Sequence, residues 1–182
     1  MSGNPRIKWY LMGAALILTC SGGLMLGKLR EKDYLSGLYE RRDFTLLDDK
    51  GEFFRLNSLP EKKLALLVFT PDGIPVDTVK PFSEFAKHLG DLQAKGIEPL
   101  LISRTHREIV RNFQRAAGSS MRFLVDMSGT VGKVAGAWPG TQLVSYWAYT
   151  LVDREFHVLW QATSENGPMS YEQLMGELKK AR

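Results

Sequence analysis

The residues of this chain best placed for chemistry lie in one loop, Phe69 to Thr78, which reads FTPDGIPVDT. An apolar run precedes it and a stretch with helical periodicity follows, so the loop is expected to turn a strand into a helix. Asp77 stands at that helix start, where unpaired N–H groups and the helix dipole favour a negative charge. A carboxylate there becomes a general acid or base only with a His, Lys or second carboxylate as partner, and none lies directly beside Asp77 in sequence. As a helix N-cap it needs no partner and contributes about 0.5–2 kcal/mol, so capping is its expected role. Asp72-Gly73 is expected to serve as turn chemistry rather than as a ligand pair. Nucleophilic sulfur chemistry needs a thiolate in an electropositive, partly exposed pocket. The one cysteine, Cys20, lies far upstream in an apolar segment. His88, His106 and His157 fall in three separate predicted elements without ligand spacing, and copper(I) chemistry has no basis without soft thiolates. No metal or other cofactor is expected.

The elements that must position this loop occupy a chain of 182 residues with a net charge of +4. Lys and Arg are interleaved with acidic residues, without the clustering of a nucleic-acid stripe, so no nucleic-acid partner is expected. A composition that is 44% apolar and 24% charged supports a packed core and excludes a disordered chain. A single cysteine excludes an intrachain disulfide and a cysteine-cluster metal site.

Residues 1–8 form a short tail carrying Arg6 and Lys8. Trp9 to Gly27 reads WYLMGAALILTCSGGLMLG, with no charge, and is about long enough to cross a bilayer as a helix. Trp9 and Tyr10 sit where an interfacial aromatic belt would. Gly13, Ala14, Ser21, Gly22 and Gly23 permit close approach of a neighbouring helix. The expectation is a retained single-pass anchor in a lipid bilayer. A cleaved signal, and a lipoprotein signal ending at Ile17-Leu18-Thr19-Cys20, are the alternatives. Residues 28–41 are a charged connector. Lys28, Arg30, Lys32, Arg41 and Arg42 follow the span, and by the positive-inside count they lean towards a cytoplasmic domain.

From residue 42 to 182 the pattern is that of one domain. DFTLL, DDKG and EFFRL predict a β-hairpin. Leu64 to Thr70 predicts a central strand buried on both faces. Asp77 to Lys95 predicts a helix stopped by Gly96. Ile97 to Ser103 is the next strand, Thr105 to Ala117 a helix, Phe123 to Asp126 a short strand and Thr130 to Ala137 a short helix. Tyr149 to Asp153 and His157 to Ala162 predict a second hairpin, and Ser170 to Lys180 a closing helix. This order defines an α/β fold: a central mixed sheet flanked by helices, with an additional N-terminal β-hairpin.

Four segments resemble the alkyl hydroperoxide reductase branch of the peroxiredoxins: DFTLLDDKGEFFRLNSL, LLVFTPDGIPVDT, FLVDMSGTVGKVAGAW and TLVDREFHVLW. They lie in the family's order and spacing over roughly residues 42–180. The resemblance implies a thioredoxin-like fold. It also implies an active site with Pro-x-x-x-Thr-x-x-Cys on the loop and an arginine before a late strand. Pro71 matches the proline, and Pro75-Val76 matches the pair before the cysteine. Asp77 stands at the cysteine position, Ile74 is the best match for the threonine with the loop one residue short, and Trp147 falls near the arginine. A carboxylate cannot attack a peroxide and become a sulfenic acid. The expected protein is therefore a catalytically inactive, peroxiredoxin-like domain. It would serve as a structural or accessory subunit, or an assembly scaffold, of a membrane complex. Tethered members of the superfamily in bacteria mostly face outward, which implies the inner membrane with an extracytoplasmic domain. The alternative is a thioredoxin-fold enzyme or carrier of another kind, such as a metal- or haem-handling factor. Tyr146 and Trp147, outside the clean strand pattern, are the expected aromatic contacts with a protein partner. Arg104, Arg107 and Arg111, with His106 and Arg115, are expected on one basic helix face that is either solvated or set against an acidic partner or anionic lipid.

Overall fold

The seven-stranded sheet is built outward from β3 (Leu64–Phe69), whose last five residues are all buried. A strand with helices on both faces must be apolar on both, which explains the unbroken LALLVF run. This computed structural model describes residues 43–139 and 142–180. The tail, the predicted span at 9–27 and the connector at 28–41 lie outside the described residues. The described residues belong to one unit, Arg41–Arg182, and among them no helix is long and apolar enough to cross a membrane.

β4 (Ile97–Ser103) and β5 (Arg122–Val125) run parallel to β3, while β6 (Trp147–Val152) lies antiparallel on its other side and β7 (Val158–Ser164) forms one edge. β1 (Thr45–Asp48) and β2 (Phe53–Arg55) are the predicted hairpin, added antiparallel to β5. The hairpin alternates as its sequence requires: Leu46 and Phe54 are buried, and Leu47 and Phe53 face outward. Asp48 closes its turn by accepting the N–H groups of Lys50 and Glu52, and Arg122 of β5 donates to its other oxygen at 2.7 Å. Burial acts to raise its pKa, but Arg122 and these N–H groups outweigh it, so the carboxyl is held below its ordinary range.

Four helices connect the strands, α1 (Val79–Ala86), α2 (Leu89–Ala94), α3 (Arg107–Ala117) and α4 (Thr130–Val134), and α5 (Tyr171–Lys180) follows the last strand. The single helix expected over 77–95 is instead a 3-10 turn, Val76–Thr78, followed by α1 and α2. The break falls at His88, whose φ of −101° leaves the helical region. Its ring stacks on Tyr171 of α5 at 4.3 Å and bonds Asp91 at 2.9 Å. The residue at the break thus meets α5, near the far end of the domain. Gly96, with φ of +76°, ends the segment as expected.

The segment after β5 is held by Asp126, which is buried and accepts the N–H groups of Thr130 and Gly132 at 3.0 Å each. Burial pushes its pKa up, and these donors offset only part of that rise. A side chain at position 132 would begin 1.9 Å from the Trp138 ring, so only glycine fits there.

Candidate functional site

The loop that follows β3 is fixed before its helix begins. Thr70 donates its hydroxyl to Ser103 at 2.7 Å, joining the carboxyl ends of β3 and β4. Pro71 is buried. Asp72 then exchanges backbone and side-chain bonds with Val144: its N–H donates to the Val144 carbonyl at 2.8 Å, and its Oδ2 accepts the Val144 N–H at 2.9 Å. Arg104 donates to both carboxylate oxygens of Asp72, from Nε at 3.1 Å and from Nη2, and also to the Gln142 carbonyl at 3.0 Å. The guanidinium lies 4.7 Å from the centre of the Trp138 ring. This two-pronged, partly buried ion pair over an aromatic face is a strong form of charge contact. Asp72 is therefore a tertiary ligand of Arg104 and not turn chemistry alone. β3 and β4 are parallel neighbours, so residues just past their ends meet at one edge of the sheet.

Asp77 departs from its expected role. The cap position of the 3-10 turn is taken by Pro75, and no side chain caps either the turn or α1. Thr78 donates its hydroxyl to the Pro75 carbonyl at 2.5 Å. The Asp77 carboxylate is exposed, with no hydrogen bond or ion pair to a described residue. Ile74 is half-buried and packs against the core between the sheet and α1, α3 and α5.

Trp147 belongs to that same core, which corrects its expected place at an interface. It is 1% exposed, stacked on Phe82 at 5.6 Å and tilted against Phe113 at 6.0 Å. β6 begins at Trp147, two residues earlier than the alternation indicated, and all six of its residues are buried. A strand paired on both sides and covered by helices has no solvent face, so no alternation marks its start. The Trp147 indole N–H is buried without a hydrogen-bond partner. Tyr146, half-buried, donates its hydroxyl to the Ala137 carbonyl at 3.1 Å.

The basic helix face is divided. Arg104 precedes α3 and is held by Asp72. Arg111 is half-buried and bonds the Asp49 carbonyl, with the Asp49 carboxylate 3.8 Å away. Arg107 and Arg115 remain exposed on α3. The histidines stay in separate elements: His88 with Asp91 and Tyr171, His157 with Asp153 at 2.8 Å, and His106 exposed before α3. Among the described residues no group of three or more His, Cys, Asp or Glu could hold a metal ion.

Two strongly exposed apolar side chains follow the partners of the Asp72–Arg104 pair in the chain. Val76 is 87% exposed at the start of the 3-10 turn after β3, and Leu143 is 89% exposed beside the Val144 that bonds Asp72. Alternation and helical periodicity could not find them, because Val76 opens a single 3-10 turn and Leu143 stands on a loop.

This fold and loop define a thioredoxin-like domain of the peroxiredoxin class. The pattern of the AhpC/TSA family matches residues 40–161, and the chain belongs to that family. Among solved structures, the peroxidoxin BcpB from Mycobacterium tuberculosis is 21% identical, with a TM-score of 0.59 over 76% of this chain and 88% of that one. AhpC from Enterococcus faecalis is 19% identical, with a TM-score of 0.61 over 76% and 87%. A secreted M. tuberculosis disulfide oxidoreductase homologous to E. coli DsbE is 17% identical, with a TM-score of 0.58 over 78% and 98%. Identities this low establish the shared fold. The comparison with curated proteins found no match.

Proposed function

We propose that the domain is a binding module without peroxidase activity, tethered to a membrane by residues 9–27 and serving as an accessory subunit or scaffold of a membrane complex. The observation that carries this reading is how the groups around the loop are used. Position 77 holds a solvated carboxylate without a base beside it, Arg104 is neutralised by Asp72, and Trp147 is consumed by the core. Of these three described positions, none offers a free cation to stabilise a developing negative charge on a peroxide oxygen. Val76, at the 3-10 turn after β3, and Leu143, beside the Val144 that Asp72 holds, add two exposed apolar side chains of the kind an interaction surface uses. The domain faces the extracytoplasmic side in this reading.

The test is co-purification of the full chain from membranes in mild detergent. Val76→Asp with Leu143→Asp is expected to reduce retention of the main co-purifying protein at least ten-fold while leaving the thermal transition within about 2 °C. Unchanged retention would remove these two side chains from the proposal.

A second experiment addresses the chemistry. Asp77→Cys, made in the full chain with Cys20→Ser, is expected to reduce peroxide no faster than an ordinary free thiol. A cysteine there would sit on an exposed turn, with Arg104 held by Asp72 and Trp147 buried in the core. Stopped-flow kinetics with hydrogen peroxide would show this directly. Acceleration of a thousand-fold or more over a free thiol would mean that the site is still built for catalysis.

A further inference from the structure

At the far end of the sheet from Pro71, a groove of about 670 Å³ opens between α5 and the ends of β3, β4, β6 and β7. Its size is that of a small-molecule site. The floor is continuous with the core through Ile97 and Leu151. Leu159, 49% exposed, and Trp160 form one wall, and Met175 of α5 forms the other. Two cations stand at the rim: Lys95, just past α2, and Lys179, in the last turn of α5. Both are exposed, and neither pairs with a described residue. Carboxylates close to them in the chain are already engaged. Glu98 accepts from Lys63 at 3.3 Å and from Gln93 at 3.2 Å, and Glu177 accepts from Lys180 at 2.6 Å. The rim is therefore left with uncompensated positive charge above an apolar trough.

That juxtaposition selects a ligand with an apolar chain and an anionic head. We propose that the groove binds a single long-chain carboxylate, its chain against Leu151, Leu159 and Met175 and its head between Lys95 and Lys179. The chain is held by removal of apolar surface from water, and the head by two flexible point charges able to close on it. This proposal is independent of the interaction surface proposed at the other end of the sheet.

The probe is palmitic acid carrying a diazirine in its chain, photolysed with the full-length protein in dodecyl maltoside and mapped by mass spectrometry. Labelling is expected at Leu159, Trp160 and Met175. Unlabelled palmitate should displace the probe, and hexadecanol should need about five-fold more to do so. Lys95→Gln with Lys179→Gln is expected to cut labelling about five-fold, as two partly exposed charge contacts allow. Lys95→Arg with Lys179→Arg should retain it. Equal competition by hexadecanol, or undiminished labelling of the glutamine variant, would show plain apolar partitioning and overturn the proposal. So would labelling confined to other segments, since it would mean that something else occupies the groove.

Discussion

Trp147→Ala is expected to lower the free energy of unfolding by about 3–5 kcal/mol, the range for deleting a large buried aromatic side chain. Its ring fills the space between β6, Phe82 of α1 and Phe113 of α3. Removing it leaves a cavity that three elements would have to collapse to fill. Trp147→Phe should cost much less, because it keeps the contact with Phe82 and deletes an indole N–H that is buried without a partner. An unpaired donor of that kind costs about 1–3 kcal/mol, which offsets part of the lost ring volume. Urea unfolding of the three proteins, followed by circular dichroism, measures both differences. A loss below about 1 kcal/mol for the alanine variant would show that the indole is not packed as described.

The second large effect is expected from Asp72→Ala, at about 2–3 kcal/mol. The substitution strands the partly buried Arg104 guanidinium and leaves the Val144 N–H without its carboxylate acceptor. Both ends of the pair retain some solvent contact, which keeps the expected loss below that of a fully buried ion pair. Arg104→Met in the same chain should recover part of the loss, since the stranded charge is then gone. A double-mutant cycle is expected to give a coupling of about 1 kcal/mol or more. Limited proteolysis should cut faster near residues 142–146 in the alanine variant, because Asp72 ties that loop to the end of β3. A coupling near zero, with proteolysis unchanged, would reduce the pair to a surface contact of no structural consequence.

Local signals in the sequence were sufficient for most of the scaffold. The unbroken apolar run of β3 announces a strand covered on both faces, and Leu46, Phe54 and their outward neighbours announce a half-exposed hairpin. Gly96 marks the helix stop because few other residues tolerate its positive φ. These features depend on residues close together in the chain, so composition and period reveal them. The departure of Asp77 from cysteine chemistry is likewise a matter of residue type alone.

What only the tertiary structure decided involves partners far apart in sequence. Asp72 and Arg104 belong to different strand ends, and their pairing turns an apparent turn residue and an apparent surface cation into one latch. His88, at the break between α1 and α2, stacks on Tyr171, near the other end of the domain. Trp147 carried no sign of its burial, because a strand paired on both sides and covered by helices shows no alternation. Its aromatic neighbours Phe82 and Phe113 come from two separate helices. Local periodicity reports which face of an element is apolar; the partner that face meets is set when the sheet closes.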